Sequence, residues 1–180
     1  MLNITLLIGG VRAGKSARAL ELARARQHVL FVATAQALDD EMANRIALHQ
    51  AERPASWATL ESPVELVRDI EAALAQRQAD LVVIDCLTLW VSNLLLSLAE
   101  TDDAEALIGA RATELVAMMA RQSPRTWIVV SNEVGLGVVP PTSLGRRYRD
   151  ALGRVNQIVS AAASHVTLMV AGLQVPVKPT

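Results

Sequence analysis

The sequence predicts an α/β fold in which a parallel β-sheet is covered by helices on both faces. Short apolar segments alternate with helical segments along the chain, and the apolar segments are continuous rather than alternating with polar residues. The length of 180 residues suits one domain with its own hydrophobic core. We therefore expect a single domain over residues 1–180.

The first elements follow in order from local patterns. The apolar run ITLLIGG (4–10) predicts a buried strand that ends in glycine, and residues 16–27 after it have a helical composition. HVLFVATA (28–35) predicts a second buried strand. A helix is predicted over 39–53, because acidic residues crowd its first turn and Pro54 follows its end.

The next segment predicts a short strand followed by a helix. WATLE (57–61) is the strand, and Ser62 followed by Pro63 is typical of an N-cap and a first helical position. Four apolar residues then recur at helical spacing: Val64, Val67, Ile70 and Leu74.

The middle of the chain continues the alternation. DLVVIDC (80–86) predicts another buried strand, and helices are predicted at about 88–98 and 104–121. TWIVVSN (126–132) predicts the next strand. EVGLGVVPP (133–141) is rich in Gly and Pro and predicts a loop.

The last segment predicts a long helix over 143–163, a strand in HVTLMVAG (165–172) and a short strand in VPVK (175–178). No repeat, low-complexity tract or linker interrupts the chain.

Composition and charge argue against several classes of protein. The net charge of −1 provides no broad cationic field for nucleic acid or anionic lipid. The longest apolar stretch (86–99) is too short to span a bilayer, and the N-terminus lacks the features of a signal peptide. Cys86 is the only cysteine, so we expect a cytoplasmic protein in which it is a buried, inert thiol. Hydrophobic residues make up 52%, and we expect some of that surface to be buried between subunits.

The segment GGVRAGKS (9–16) matches the pattern G-x-x-x-x-G-K-[ST]. The glycines let backbone N–H groups approach phosphate oxygens, Lys15 reaches the outer phosphates, and the Ser16 hydroxyl ligates Mg²⁺. The match lies between a predicted strand and a predicted helix, as a phosphate-binding loop requires. Nucleotide phosphates are therefore expected on Gly9, Gly10, Val11, Arg12, Ala13, Gly14, Lys15 and Ser16.

Asp85 ends the apolar strand LVVID and is the candidate carboxylate for holding Mg²⁺ directly or through water. A strand-end Asp that caps the following helix is the alternative. The sequence has no N-K-x-D motif, and its D-x-x-G match at 150–153 falls inside a predicted helix, which argues against a switch GTPase. The residues alone predict a small P-loop NTPase or kinase.

Five segments taken together resemble one family. They are GGVRAGKS (9–16), VATAQALDDEMANRIALHQAERPASWATLE (32–61), DCLTLWVSNLL (85–95), SNEVGLGVVP (131–140) and RRYRDALGRVNQ (146–157). Over nearly its whole length the chain resembles the bifunctional adenosylcobinamide kinase / adenosylcobinamide-phosphate guanylyltransferase of cobalamin assembly. The resemblance implies a RecA-like P-loop fold with a mostly parallel sheet, and a homotrimer.

The resemblance also implies two reactions. The family phosphorylates the aminopropanol hydroxyl of adenosylcobinamide with GTP or ATP. It then transfers GMP from GTP to that phosphate, which gives adenosylcobinamide-GDP and pyrophosphate.

A histidine in the family motif R-I-x-x-H-x-x-x-R-P becomes guanylylated, and the motif at 45–54 maps that role to His49. Neutral imidazole suits such a role, because its usual pKa of about 6.5 leaves it unprotonated near pH 7. Arg45 and Arg53 lie four residues to either side, on one predicted helix face, where they are expected to steady phosphate charge. Without the resemblance, His49 is an ordinary surface residue of a helix.

Further site residues come from the resemblance alone. It implies nucleotide contacts at Ala33, Thr34, Ala35, Gln50, Ala51, Glu52, Arg53, Glu61 and Asp85. Asn132 and Glu133 are candidates for a different reason: they come at the end of a predicted strand, at the carboxyl edge where α/β folds bind ligands, and are expected to hold the corrinoid. Stabilising the turn after their strand is the open alternative. His28 and His165 lie outside the family motifs. The chain departs from the family in His165, where an acidic residue is common, and in the tail GLQVPVK (172–178).

Two other functions remain open at this point. One is a small-molecule kinase without nucleotidyl transfer, in which His49 has no chemical role. The other is a non-catalytic nucleotide-binding regulator. Covalent labelling by GTP that carries its label in the α-phosphate distinguishes the bifunctional enzyme from both.

Overall fold

The computed structural model describes residues 2–37, 39–51, 53–99, 101 and 103–178, and of Glu41 and Arg45 it describes the backbone alone. Within these ranges the strands are β1 (Ile4–Gly9), β2 (Val29–Ala33), β3 (Ala58–Glu61), β4 (Leu81–Asp85), β5 (Thr126–Asn132), β6 (His165–Val170) and β7 (Leu173–Lys178). The helices are α1 (Lys15–Ala23), α2 (Asp40–Ala51), α3 (Leu66–Gln76), α4 (Leu87–Ser97), α5 (Ala104–Arg121) and α6 (Ser143–Ala162).

The strands form one sheet in the order β3-β2-β4-β5-β1-β6-β7. Neighbours from β3 to β6 pair in parallel, and β7 pairs antiparallel to β6 at the edge. The prediction of a mostly parallel α/β sheet is therefore confirmed. Because the parallel strands share one direction, the loops after β1 to β5 meet at one edge of the sheet.

Helices cover both faces of the sheet, as predicted. Successive strand residues point to opposite faces, so Leu6 belongs to the core under α3, α4, α5 and α6, whereas Leu7 packs against α1. In the same way, Val82 packs in the first of these cores and Val83 packs in the core against α1. Both faces of the central strands are thus buried, which explains why their sequences are continuously apolar.

Several predicted boundaries were wrong. The helix predicted over 39–53 ends at Ala51, so Arg53 lies beyond it. Ser62 is not an N-cap, because α3 begins at Leu66. The Ser62 hydroxyl is instead fully buried and donates a hydrogen bond to the Asp69 carboxylate at 2.8 Å. That bond holds the end of β3 against α3.

Other elements were predicted closely. The strand at 126–132 has the bounds expected, and the helices after β4 differ from their predicted ranges by about one residue. The helix predicted from residue 16 begins at Lys15 and ends early, at Ala23. None of the helices in the described part of the chain has both the length and the apolarity needed to cross a membrane.

Candidate active site

The loop between β1 and α1 has the backbone of a phosphate-binding loop. Gly14 precedes α1 with a left-handed φ of 92°, a conformation that a side chain disfavours. Gly9 packs so closely on β6 that a Cβ there would lie 2.3 Å from the carbonyl oxygen of Met169. The backbone therefore requires glycine at both positions. The loop between them lies at the carboxyl end of β1.

Lys15 begins α1 and is largely buried. Its Nζ donates a hydrogen bond to the carbonyl of Gly10 at 2.7 Å. Burial lowers the pKa of this ammonium group, and nearby Cys86 and Asp85 partly offset that effect. An ammonium group has three donors, so two remain for phosphate oxygens brought to the loop.

Asp85 lies at the end of β4, and it lines the same cavity as Ser16 in the first turn of α1. Burial raises the pKa of Asp85; the Ser16 hydroxyl and the charges of His49, Arg53 and Lys15 act in the opposite direction. The two residues that the sequence singled out as candidates for holding Mg²⁺ therefore line one space.

A hydroxyl and a carboxylate that line one cavity fit a Mg²⁺ site, because Mg²⁺ usually takes one or two carboxylate ligands and completes its shell with phosphate oxygens and water. Among the described residues there is no cluster of three or more His, Cys, Asp or Glu that would hold a metal without such help.

A cavity of about 560 Å³ opens at the carboxyl edge of the sheet. It is lined by residues at or after the carboxyl ends of β1 to β5 and by one side of α2. The predicted site residues along its wall are Val11, Ser16, Ala33, Ala35, His49, Arg53, Glu61 and Asp85. Sequence positions 11 to 85 thus converge on one space.

His49 lies in the last turn of α2, is exposed, and lines this cavity. Arg53 lines the cavity too. It was predicted to share a helix face with His49, but it lies beyond the end of α2. Its guanidinium carbon sits 3.8 Å from the centre of the Phe31 ring, a cation–π contact that fixes the group against β2. The Arg45 side chain and Glu52 lie outside the described residues.

Gln50 and Glu61 connect α2 to the end of β3. The Gln50 amide donates to the Glu61 carboxylate across 3.3 Å, and Ala51 ends the helix beside them. This contact ties the helix that carries His49 to the sheet.

Thr34 has different surroundings from those expected of a side chain that contacts nucleotide. It is fully buried, and its hydroxyl accepts a hydrogen bond from the N–H of Cys86 at 2.8 Å and donates to the carbonyl of Cys86 at 2.7 Å. Its carbonyl accepts from the Asn93 amide, which also donates to the carbonyl of Pro63. Thr34 thus joins the ends of β2 and β4 next to Asp85, whereas its neighbours Ala33 and Ala35 line the cavity.

Cys86 was predicted to lie in a strand. It lies instead directly after β4, half-buried in the cavity wall. Burial raises the pKa of its thiol to about 11, with the Asp85 charge acting in the same direction. The thiol therefore stays protonated at neutral pH and is a poor nucleophile, in line with the expected inert role.

The cavity also contains residues that the sequence did not single out. Thr88 and Leu89 in α4, Met42 and Ile46 in α2, and Gln36 and Pro63 line it. A β-strand followed by a helix always brings the first helical residues near the strand end, so Thr88 could have been inferred from its distance of three residues from Asp85.

The two corrinoid candidates separate in the structure. Asn132 lines the large cavity, whereas Glu133 lines a smaller one of about 370 Å³ between the phosphate-binding loop and the β6–β7 turn. The Glu133 carboxylate accepts a hydrogen bond from the N–H of Gly135. Of the two, Glu133 is the residue that stabilises the turn.

Comparison with known proteins gives a consistent picture. A family model described as "Cobinamide kinase / cobinamide phosphate guanyltransferase" matches residues 5–177. A Pseudomonas aeruginosa protein named "Bifunctional adenosylcobalamin biosynthesis protein CobP" is 44% identical over 96% of this chain and 96% of its own. Proteins named "Bifunctional adenosylcobalamin biosynthesis protein CobU" from Salmonella typhimurium and Escherichia coli are 42% and 40% identical, each over 96% of this chain and 98% of its own.

Among solved structures, an ATPase from the type III secretion system of pathogenic bacteria superposes with a TM-score of 0.58 over 97% of this chain. The chain spans 56% of that ATPase chain, and their sequences are 12% identical. At this identity the likeness supports the P-loop α/β fold alone.

Proposed function

Because the chain belongs to the cobinamide kinase / cobinamide phosphate guanyltransferase family, we propose that it catalyses two successive reactions in cobalamin biosynthesis. It phosphorylates the aminopropanol hydroxyl of adenosylcobinamide with GTP or ATP, and it then converts that phosphate to adenosylcobinamide-GDP with GTP. The observation that carries this proposal is that one cavity is lined both by Ser16 of the phosphate-binding loop and by His49.

The first reaction transfers a γ-phosphoryl group to an alcohol. The backbone of residues 9–14, the Lys15 ammonium and the Ser16 hydroxyl bind the phosphates of the nucleotide. Mg²⁺ held by Ser16, Asp85 and phosphate oxygens would neutralise part of the phosphate charge. Positioning and electrostatics suffice for this step, so the protein needs no nucleophile.

The second reaction uses His49 as a nucleophile. The imidazole attacks the α-phosphorus of GTP through a ring nitrogen lone pair, the bond to the β-phosphate oxygen breaks, and pyrophosphate leaves with the electron pair. The phosphate of adenosylcobinamide phosphate then attacks the same phosphorus and releases the imidazole. Arg53, which shares the cavity wall with His49, balances the negative charge of the phosphates during both displacements.

The other residues that the resemblance implies also bind the nucleotide in this proposal. Ala33 and Ala35 line the space through small side chains that leave room for a ligand, and Gln50, Ala51 and Glu61 lie where α2 meets β3. Glu52 belongs to the same stretch by resemblance. Thr34 contributes through the position it gives to its neighbours. We also propose that residues 1–180 form a single domain and that the enzyme is cytoplasmic.

A kinase without nucleotidyl transfer is not favoured, because three relatives at 40–44% identity are named bifunctional. A non-catalytic regulator has no use for an exposed histidine in a cavity lined by a phosphate-binding loop.

Product analysis tests the proposal. Purified protein is incubated with adenosylcobinamide, GTP and Mg²⁺, and the corrinoids are separated and weighed by mass spectrometry over time. We expect a phosphorylated corrinoid to appear first and a GDP-linked corrinoid to replace it, with one pyrophosphate per linked product. Accumulation of the phosphate alone would favour the kinase alternative, and unchanged corrinoid would contradict both enzymatic functions.

We further propose that the enzyme is a homotrimer, as its resemblance to the family implies. Exposed apolar side chains support association: Leu136 and Val138 after β5, and Leu173, Val175 and Val177 on one side of β7. Analytical ultracentrifugation is expected to give a particle of three chains of 19.3 kDa each. A single 19.3 kDa species at working concentration would refute this prediction.

A further inference from the structure

Asn132 occupies a distinctive place in the sheet. It is the last residue of β5, and β5 lies between β1, which carries the phosphate-binding loop, and β4, which ends in Asp85. Asn132 lines the large cavity together with Ser16 and Asp85. The carboxyl ends of β1, β5 and β4 are neighbours in the sheet, so Asn132 lies between the strand end that carries the phosphate-binding loop and the strand end that carries Asp85.

The backbone of Asn132 is fixed on both sides by buried polar side chains. Its N–H donates to the Thr88 hydroxyl at 2.8 Å, and its carbonyl accepts from the Asn156 amide at 3.0 Å. Asn156 in turn accepts from the Ser131 hydroxyl at 2.6 Å. These three side chains are at least nine-tenths buried. Buried polar groups destabilise a fold unless they are hydrogen-bonded, and here the bonds converge on one backbone position.

The side-chain amide of Asn132, by contrast, has no hydrogen bond to any residue in the described part of the chain. Stabilisation of the following turn is carried by Glu133, whose carboxylate accepts from Gly135. An amide has two N–H donors and one carbonyl acceptor. A rigid backbone that presents an uncommitted donor at a phosphate site is the arrangement expected of a group that binds substrate.

We propose that Asn132 is a catalytic residue of the kinase step, whose amide donates a hydrogen bond to the phosphoryl group in transit; this inference rests on the proposed function. In that step the alcohol oxygen bonds to the γ-phosphorus while the bond from γ-phosphorus to the bridging oxygen breaks. The leaving nucleoside diphosphate keeps the electron pair, and the hydroxyl proton passes to water. Negative charge on the equatorial oxygens of the phosphoryl group is then stabilised by a preorganised neutral donor.

Thr88 and Asn156 are positioning residues in this scheme. They act on the reaction through the backbone of Asn132 and place its amide before substrate binds. Replacement of the Thr88 hydroxyl should therefore alter the rate of phosphoryl transfer more than the binding of nucleotide.

The test compares the kinase kinetics of Asn132→Ala and Asn132→Asp with those of the wild type. We expect Asn132→Ala to lower kcat by about 10²-fold, the usual effect of removing one donor to a transition-state oxyanion. KM for the nucleotide should change little, because the phosphate-binding loop holds the phosphates in the ground state. Asn132→Asp keeps the shape but repels the phosphoryl group, so it should lose more activity than Asn132→Ala.

The matched control is Asn3→Ala, which removes an exposed amide that bonds to Thr126 at the opposite edge of the sheet. It should retain wild-type kcat. Thr88→Val, which removes the hydroxyl, should lower kcat by less than Asn132→Ala does. Thr88→Ser, which keeps a hydroxyl, should have a higher kcat than Thr88→Val. Thermal unfolding of each variant shows whether its fold is kept.

A variant Asn132→Ala that keeps wild-type kcat, or whose loss lies wholly in KM, would overturn the inference. So would equal activities of the Ala and Asp variants. Intrinsic hydrolysis of GTP breaks the same γ-phosphate bond with water as acceptor, and it is measured in parallel. If the wild type hydrolyses GTP with this dependence on Asn132 but leaves adenosylcobinamide unmodified, the proposed substrate fails while the role of Asn132 stands.

Discussion

Replacement of Lys15 by alanine is expected to abolish both reactions and to leave the protein folded. The Lys15 ammonium is held at the phosphate-binding loop by its bond to Gly10. Phosphates must be bound there whether the γ- or the α-phosphorus is attacked, so both steps lose the same charge. Removal of a preorganised donor usually lowers a rate by about 10²–10³-fold, and removal of a charged one should reach at least that range.

The sequence offers a matched control for this variant, because Lys178 is its only other lysine. The Lys178 ammonium bonds to carbonyls at the end of α6 and lies outside the cavity. Lys178→Ala should keep both activities. Steady-state rates for each reaction, with circular dichroism to monitor the fold, provide the measurement. Full guanylyl transfer by Lys15→Ala would show that the phosphate-binding loop does not serve that step.

Replacement of His49 by alanine should separate the two activities. In the proposed mechanism the variant has no nucleophile for the α-phosphorus, and loss of a nucleophile lowers a rate by on the order of 10⁴-fold or more. Phosphorylation of adenosylcobinamide should continue, because it requires no protein nucleophile. His49 is exposed, so its replacement should change the free energy of unfolding by no more than about 0.5 kcal/mol.

His28→Ala is the control for this substitution. His28 is exposed and precedes β2 at the amino edge of the sheet, away from the cavity. Both activities should survive in it. Parallel assays of phosphorylated and GDP-linked corrinoid give the comparison, and equal loss of both products in His49→Ala would mean that His49 serves binding in general.

Much of the site could be predicted from local sequence. The glycines, Lys15 and Ser16 form a contiguous motif, and Asp85 ends an apolar strand. Parallel strands place their carboxyl ends on one edge, so the meeting of Ser16 with Asp85 follows from the fold class. These residues were found because each depends on local structure of known type.

Features that depend on long-range contacts could not be predicted. The position of β5 between β1 and β4 follows from strand pairing that no local pattern encodes, and this position brings Asn132 to the cavity. Ser62 was predicted to cap a helix, but its hydroxyl donates a hydrogen bond to the Asp69 carboxylate instead. Arg53 was predicted to lie on a helix face, but its guanidinium stacks on the Phe31 ring. An exposed histidine such as His49 has no local signature of reactivity, so its proposed role rests on the resemblance.

The covalent intermediate tests the proposed chemistry most directly. The wild type is incubated with GTP labelled in the α-phosphate and Mg²⁺, denatured, digested and analysed for the labelled peptide. We expect GMP on the peptide that contains His49, attached by a phosphoramidate that is labile in acid and stable in alkali, and no label in His49→Ala. Undiminished labelling of His49→Ala, or a label on another residue, would contradict the role of His49, and the absence of any label would favour a kinase without nucleotidyl transfer.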